Sequence, residues 1–325
     1  MKNFVFCLSA AFSTVFFAGA ASAQTKWDLP TGYGANSFQT RNVQQFASDV
    51  EKLTDGKLKI TLHPGGSLYK ANEIKRAVQS GQVQAAEFIL SSAANENPLF
   101  GADSIPFLAT SYPAARRLYE AAKPAQDKLL ASQGIKVLFS VPWPGQSLYS
   151  IKPVNTPADL VGTKMRAYNP ATARIAQLLK AQPVTIQLAE LGQALATGGV
   201  QNFLTSSASG VESKLHEQVK YFYPVSAWLP RNATVVSQKA FDALDKPTQE
   251  AVLKAAAAAE VRGWATSEKA DAEYIKELGA KGMTIAAPSD SVKAALTAIG
   301  ETMTAEWLKT AGAEGQAVID AYRKP

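Results

Sequence analysis

The feature of this sequence that most constrains its fold is an alternation of strand and helix patterns that begins near residue 25. Residues 25–29 form a strand pattern, residues 37–53 an amphipathic helix, and residues 58–62 a strand that ends at a Pro-Gly-Gly turn. A helix pattern at 71–80 and a strand pattern at 83–90 continue the series. Strands that alternate with helices predict a mainly parallel sheet flanked by helices, which is the α/β class.

A second alternation follows a helix pattern at 112–133 and an apolar strand pattern at 135–141. Its members are a strand at 164–168, a helix at 170–179, a strand at 183–186, a helix at 189–197 and a strand at 200–204. Two sheets with similar wiring predict two lobes. Because ligands of open α/β sheets bind at the carboxyl ends of the strands, we expect a binding cleft between these lobes.

The longest helical pattern in the chain covers residues 247–278 and contains an alanine-rich stretch. A helix of that length reaches about 45 Å at 1.5 Å per residue, enough to cross both lobes. The alternative is two helices that break near Gly263. One interior glycine costs only about 1 kcal/mol, so a single spanning helix is favoured.

The N-terminus has the pattern of a removable export signal from Met1 to about Ala23. Lys2 precedes a mostly apolar stretch, and Ala21-Ser22-Ala23 forms a small-residue cleavage site. A membrane anchor is the alternative, but no later stretch reaches the ~18 apolar residues of a membrane span. Cys7 lies inside the apolar stretch, which argues against a lipoprotein. We therefore expect a soluble, cysteine-free protein outside the cytoplasm.

The composition argues against several functional classes. There are 33 Lys and Arg against 27 Asp and Glu, a net charge of +6 that falls by one when Lys2 is removed, and the basic residues are scattered among acidic ones. This distribution is not typical of a nucleic-acid-binding face. His63 and His216 lack the spacing of a zinc site, and no nucleophile elbow, P-loop or dinucleotide motif is present. We expect no cofactor, metal site or catalytic residue, although catalysis by scattered carboxylates is left open.

The most informative segment for function is residues 159–169, which contain Arg166 on a short strand pattern. A guanidinium group can hold a carboxylate through two parallel hydrogen bonds. A surface salt bridge is the alternative for any single arginine. The residues alone leave both interpretations open.

Several short motifs occur in a specific order and spacing. They are Phe46-x-x-x-Val50-x-x-x-Thr54-x-Gly56-x-Leu58, Pro64-Gly65-Gly66-Ser67-Leu68, Ala77-Val78-Gln79-Ser80-Gly81, Pro157-x-Asp159-Leu160-x-Gly162-x-Lys164-x-Arg166, and Ala189-Glu190-x-x-Gln193-Ala194-Leu195-x-x-Gly198. With the long helix they resemble the substrate-binding proteins of tripartite ATP-independent periplasmic (TRAP) transporters, the DctP-type family. The resemblance covers essentially the whole chain after residue 23.

The resemblance implies a two-lobed periplasmic-binding-protein fold, with crossing strands and the long helix linking the lobes. After the signal peptide at 1–23, we expect lobe I at 24–143, with 232–271 returning to it, and lobe II at 144–231, with 272–325 returning to it. It also implies that Arg166 holds the carboxylate of a small organic acid and that Ser206 faces the same ligand. The cargo would then pass from the periplasm to a two-part membrane permease driven by an ion gradient.

Two departures from the family bear on the ligand. Gln146 stands where sialic-acid-type members carry a second arginine, and Val200-Gln201-Asn202 replaces a common Val-Asp-Gly. Both weaken the case for a second ligand charge. Further candidate pocket residues follow predicted strands or lie near them: Tyr33, Ser37, Phe88, Trp143, Gln146, Tyr168, Asn169, Phe203 and Trp228.

The aromatic members of this set favour a monocarboxylate with an apolar or aromatic body, although core packing is the alternative role for each of them alone. Within the family, the rival interpretation is a C4-dicarboxylate receptor. Outside it, the rival is a periplasmic sensor or enzyme that uses the same fold. A sensor would differ in its partner, and an enzyme would require a catalytic group that no motif supplies.

Overall fold

A computed structural model describes residues 24–324, so the predicted export signal lies outside the described residues. The strands within this range are β1 (Thr25–Pro30), β2 (Leu58–His63), β3 (Ala85–Ile89), β4 (Ile135–Pro142), β5 (Ser147–Ser150), β6 (Lys164–Ala167), β7 (Gln182–Thr185), β8 (Asn202–Thr205), β9 (Tyr221–Tyr223), β10 (Arg231–Ser237) and β11 (Thr284–Ile285). The helices within it are α1 (Phe38–Leu53), α2 (Ile74–Gln79), α3 (Tyr112–Ser132), α4 (Pro170–Leu178), α5 (Leu188–Ala196), α6 (Ser207–Glu212), α7 (Gln238–Asp242), α8 (Lys246–Ala280) and α9 (Asp290–Arg323).

The strands form two groups, each covered by helices. In the first, β1 pairs with β2 in parallel, β10 lies between β3 and β4, and a bridge between Thr31 and Glu87 joins β1 to β3. The second is a six-stranded sheet in the order β11-β9-β5-β8-β6-β7. We call the parts of the molecule built on these two groups lobe I and lobe II. The predicted strand and helix alternation thus forms two α/β units.

The sheets are mixed, whereas the alternation predicted mainly parallel ones. β10 runs antiparallel to β3 and β4, and β5 runs antiparallel to β8 and β9. The reason is that two of the connections between strands cross from one lobe to the other, from β4 to β5 and from β9 to β10. The two crossings hydrogen-bond to each other, from Trp143 N to Pro230 O and from Gln146 N to Trp228 O, both at 2.8 Å. Each lobe therefore receives a strand that enters from the other.

Helix α8 is a single unbroken helix of 35 residues, as the sequence favoured. Asp245 caps its start by accepting a hydrogen bond from Thr248 N at 2.8 Å. Gly263 does not break it but lies against β4, where a Cβ atom would be only 2.4 Å from Val141 Cγ2. The helix contacts α1 and β4 in lobe I and α6 and β11 in lobe II, so it spans both lobes.

Helix α9 also contacts both lobes. Val292 and Met303, in its first half, lie in the apolar core of lobe II, whereas Trp307 and Ile319 pack with residues of α3 in lobe I. Gly312, with a φ angle of 59°, breaks the helical geometry within this element. The predicted lobe limits stay a prediction. The sequence assigned the end of α9 to lobe II, whereas in the structure this end packs on lobe I.

A partly buried carboxylate, that of Glu212, joins the two lobes. Glu212, at the end of α6, accepts a hydrogen bond from Phe38 N at 2.7 Å, and Asn36 Nδ2 donates to its backbone oxygen at 2.8 Å. Tyr274 of α8 also faces this carboxylate, whose Oε2 is buried without a hydrogen-bond partner. Burial raises the pKa of Glu212 to about 7, against the lowering effects of the Phe38 N–H and of Arg41.

We expect Glu212→Gln to stabilise the protein at alkaline pH but not at acidic pH. The folded pKa of Glu212 lies above its unfolded value of about 4.5, so folding stability is lost as pH rises from about 4.5 to 7. At ~1.4 kcal/mol per pKa unit, the variant should gain roughly 2 to 4 kcal/mol over the wild type at pH 8, and about nothing at pH 4. Urea unfolding at both pH values measures this difference, with the exposed Glu301→Gln as control. An equal effect at both pH values would contradict the assignment.

Candidate functional site

A cavity of about 420 Å³ lies between the two lobes at the crossings. Lobe I contributes residues from the loop after β1 and from β3, and lobe II contributes the carboxyl end of β6 and the start of α4. Seven of the predicted site residues line this cavity: Tyr33, Phe88, Trp143, Gln146, Arg166, Tyr168 and Asn169. Their role in ligand binding stays a prediction, and their convergence defines the candidate site.

Arg166 is the charged centre of the cavity wall. It lies on β6 and is only 4% exposed. Its Nε donates a hydrogen bond to Ile186 O at 2.8 Å, and its guanidinium carbon lies 4.9 Å from the centre of the Tyr168 ring. Nη1 is buried without a hydrogen-bond partner, and within residues 24–324 no carboxylate lies within 4.0 Å of the guanidinium group.

The position of the Arg166 guanidinium, buried and without an anionic partner among residues 24–324, affects its pKa and its need for a counter-ion. Burial lowers the pKa of Arg166 to about 10, so the side chain still carries its charge at neutral pH. A buried charge without a partner is costly, and an anion that enters the cavity supplies both the missing charge and the missing hydrogen bond. A carboxylate fits the planar fork of a guanidinium best. Arg166 is therefore a candidate carboxylate-binding residue.

Aromatic rings make up much of the remaining wall. The rings of Tyr33 and Trp143 lie 4.9 Å apart, and Tyr168 donates a hydrogen bond from its hydroxyl to Gln146 Oε1 at 3.2 Å. Burial raises the pKa of both tyrosines, so their hydroxyls stay protonated and available as donors. Gln146 Nε2 in turn donates to Pro144 O at 3.1 Å. These bonds fix the wall as a rigid, partly apolar surface.

Asn169 connects the lobes across the cleft. Its Oδ1 accepts a hydrogen bond from Thr172 N at 2.8 Å and so caps α4, in which Pro170 takes the first position. Its Nδ2 donates to Ser91 Oγ of lobe I, also at 2.8 Å. The residue that starts the helix is therefore also a contact between the lobes, which sequence patterns do not reveal.

Four other predicted site residues lie outside the cavity wall. Ser206 and Ser37 sit at the N-caps of α6 and α1, where both are buried. Ser206 Oγ accepts a hydrogen bond from Ser209 N at 3.0 Å, and it is Thr205 and Ser209 that line the cavity. Ser206 therefore lies next to the cavity wall rather than in it, because the capping bond turns its hydroxyl toward the helix.

The other two, Phe203 and Trp228, are core residues. The ring of Phe203 stacks on Tyr149, its partner on the neighbouring strand β5, with ring centres 5.0 Å apart, and both rings lie in an apolar core of lobe II. Trp228 lies in the apolar core of lobe II behind the wall. For both, core packing describes the position better than the predicted ligand contact.

Sequence reasoning missed a buried carboxylate in the cavity wall. Glu87, in the middle of β3, is 1% exposed, and burial raises its pKa. Thr31 Oγ1 hydrogen-bonds to its Oε2, and Asn232 Nδ2 donates to its Oε1 at 2.9 Å. The available signal was the charge itself, since the rest of this strand, Ala85 to Ile89, is apolar.

A second cation in the wall, Lys75, was also missed. Its Nζ lies 2.6 Å from Glu96 Oε2 and 2.7 Å from Gln133 Oε1. Lys75 therefore already has an anionic partner from lobe I. This distinguishes it from Arg166.

His63 and His216 both lie outside the cavity wall. His63 Nε2 is 2.7 Å from Asp28 Oδ1. Across residues 24–324, no three His, Cys, Asp or Glu side chains are grouped closely enough to hold a metal ion. In the same range, no helix combines the length and apolar character needed to cross a membrane.

Comparison with known proteins identifies the family. The DctP family model, bacterial extracellular solute-binding protein family 7, matches residues 31–310. The chain belongs to this family. The DctP fold and the two lobes predicted from the sequence are thereby confirmed, as is the predicted link to TRAP solute receptors.

Two solved structures of DctP-type receptors are similar to this chain over nearly its whole length. DctP6 of Bordetella pertussis, an extracytoplasmic solute receptor binding pyroglutamic acid, is 51% identical, with a TM-score of 0.91 over 93% of this chain and 100% of that one. A TRAP solute-binding protein from a marine metagenome, specific for pyroglutamate, is 42% identical, with a TM-score of 0.91 over 93% and 99% of the two chains. The C4-dicarboxylate-binding periplasmic protein DctP of Rhodobacter capsulatus is 27% identical over 237 residues, 71% of this chain and 68% of that one.

Proposed function

We propose that this protein is a periplasmic receptor for pyroglutamate, the cyclic lactam of glutamate, and that it delivers this ligand to a TRAP membrane permease. The observation that carries the proposal is the buried, unpaired guanidinium group of Arg166 in the cavity wall. It calls for one carboxylate, and pyroglutamate has one. The two similar receptors with bound pyroglutamate support the same ligand.

The shape and polarity of the cavity agree with this ligand. Its volume of about 420 Å³ accommodates a five-membered ring with room for bridging water. The rings of Tyr33, Trp143 and Tyr168 offer apolar surface to the ring carbons. Pyroglutamate is a monocarboxylate, like the ligand expected from the sequence, but its small ring carries an amide, whereas the sequence favoured an apolar or aromatic body.

A C4-dicarboxylate is the second candidate, favoured by the relative from Rhodobacter capsulatus. Such a ligand needs a partner for a second carboxylate. Gln146 is neutral, and Lys75 is already paired with Glu96. A second anionic group would also lie in a wall that contains the carboxyl of Glu87. These charges favour a monocarboxylate.

Binding is expected to couple to closure of the lobes. Arg166 belongs to lobe II, whereas Glu87, Phe88 and Tyr33 belong to lobe I. A ligand held by Arg166 reaches contacts from the other lobe only when the cleft is closed, so it stabilises that state. The closed complex is the form that we expect the permease to recognise.

A calorimetric titration tests the ligand. The protein is first unfolded, dialysed and refolded, so that any co-purified ligand is removed. We expect L-pyroglutamate to bind at least about tenfold more tightly than succinate or malate, because the site lacks a free second cation, and to raise the melting temperature. Tight binding of succinate without measurable binding of pyroglutamate would contradict the proposal and favour the dicarboxylate receptor.

A further inference from the structure

Glu87 is held in a fixed orientation by a chain of hydrogen bonds. Trp143 Nε1, which can only donate, donates to Asn232 Oδ1 at 2.9 Å, and the hydroxyl of Tyr33 donates to the same oxygen at 3.2 Å. These two donors assign the oxygen and nitrogen of the Asn232 amide. Its Nδ2 must therefore face Glu87, where it donates to Oε1 at 2.9 Å. The carboxyl group is thus positioned by residues from three separate parts of lobe I.

The hydrogen-bonding capacity of Glu87 is only partly used by the protein. A carboxylate offers about four lone-pair positions, and Thr31 and Asn232 occupy two of them. Within residues 24–324 no cationic side chain forms an ion pair with Glu87, although it is buried in the cavity wall. A protonated carboxyl would still keep a lone pair on Oε1. In both protonation states the group can accept one more hydrogen bond.

The cavity wall therefore has two polar groups of opposite character that can each form a further hydrogen bond. Arg166, on β6 of lobe II, has an unused donor, and Glu87, on β3 of lobe I, has an unused acceptor. A ligand satisfies both when it has a carboxylate at one end and an N–H at the other. Both oxygens of Glu87 already accept one hydrogen bond, so the penalty for a ligand without the N–H comes from the ligand lone pair that it would place against the buried carboxyl oxygen.

We propose that Glu87 is a specificity-determining residue that accepts a hydrogen bond from the ring N–H of the ligand, so that the receptor selects lactams over lactones. This inference rests on the proposed function, since it assigns the amide end of pyroglutamate to lobe I and the carboxylate end to lobe II. It also explains why a carboxyl group is kept inside an otherwise apolar strand.

The test compares L-pyroglutamate with its lactone counterpart, 5-oxotetrahydrofuran-2-carboxylate, in which a ring oxygen replaces the N–H. Both have the same carboxylate, carbonyl group and ring size. The wild-type protein should bind the lactam about tenfold or more tightly than the lactone, since the lactone places a lone pair against Glu87. In Glu87→Ala the two affinities should fall within about threefold of each other, because no acceptor distinguishes them. The exposed Glu301→Ala should keep the wild-type ratio.

The ratio of two affinities in one variant cancels any general loss of packing, and thermal melts confirm that each variant is folded. Equal binding of lactam and lactone by the wild-type protein would overturn the inference without any variant. So would an unchanged ratio in Glu87→Ala. In either case, binding of pyroglutamate would leave the proposed function standing. Failure of the wild-type protein to bind pyroglutamate at all would overturn both.

Discussion

Replacing Arg166 by alanine is expected to weaken pyroglutamate binding by roughly 2 to 5 kcal/mol, which is about 30-fold to several thousand-fold. The loss is large because the variant leaves the ligand carboxylate desolvated without its partner. Arg166→Lys should fall between the two proteins, since it keeps the charge but loses the fork. Isothermal titration calorimetry measures all three affinities.

Without ligand, Arg166→Ala should unfold at about the same urea concentration as the wild-type protein. Within the part of the chain that the structure describes, the Arg166 guanidinium has a single hydrogen bond from Nε and no anionic partner, so its removal costs the empty protein little. An affinity for pyroglutamate that is unchanged in Arg166→Ala would show that the anchor has been wrongly assigned. A large loss of stability would instead mark Arg166 as a structural residue.

Replacing Arg231 by methionine is expected to lower the free energy of unfolding by roughly 3 to 5 kcal/mol, whereas Arg166→Ala should leave it nearly unchanged. Arg231 is 2% exposed at the start of β10. Its Nε lies 3.3 Å from Asp103 Oδ2, its Nη2 donates to Gln126 Oε1 at 3.1 Å, and its guanidinium lies over the Tyr119 ring at 4.4 Å. Methionine leaves Asp103 buried without a counter-charge. Urea unfolding measures the loss.

A double variant separates the charge effect from packing. Asp103→Leu combined with Arg231→Met removes both charges, so it should be more stable than Arg231→Met alone. A free energy of unfolding of Arg231→Met within about 1 kcal/mol of the wild-type value would contradict this account. Arg231 and Arg166 therefore allow a matched comparison, in which we expect the arginine paired with Asp103 to stabilise the fold and Arg166 to bind the ligand.

Local patterns predicted most of the fold. The helical spacing of Phe46 and Val50 in α1, and the alternation in β2, depend only on which face of each element is buried, and this is written in neighbouring residues. The single helix α8 followed from the low cost of Gly263. The structure adds the reason for that glycine, which lies against Val141.

Elements that are buried on both faces, or that contact both lobes, were not predicted. All residues of β5 and β10 are buried, so neither strand shows alternation, and the antiparallel course of both follows from the crossings between lobes. No pattern marked α9, which changes partner from lobe II to lobe I along its length. Such features depend on tertiary contacts rather than on local spacing.

The residues of the candidate site also divide into those that the sequence predicted and those whose position depends on tertiary contacts. Arg166 was predicted because its motif resembles a family, and the aromatic residues because they follow strands. Ser206 and Phe203 lie outside the cavity wall because a capping bond holds the hydroxyl of Ser206 and packing on Tyr149 holds the ring of Phe203. Glu87 was missed because its partners Thr31 and Asn232 lie 56 and 145 residues away in sequence. Their contacts exist only in the folded chain.

The measurement that tests the central claim most directly is a crystal structure of the protein grown with L-pyroglutamate. The account predicts a ligand carboxylate oxygen about 2.7 to 2.9 Å from Nη1 of Arg166, the nitrogen that lacks a partner in the structure described here. A pyroglutamate carboxylate bound elsewhere in the cavity, for example on Lys75, with Arg166 Nη1 still without an anion, would contradict it.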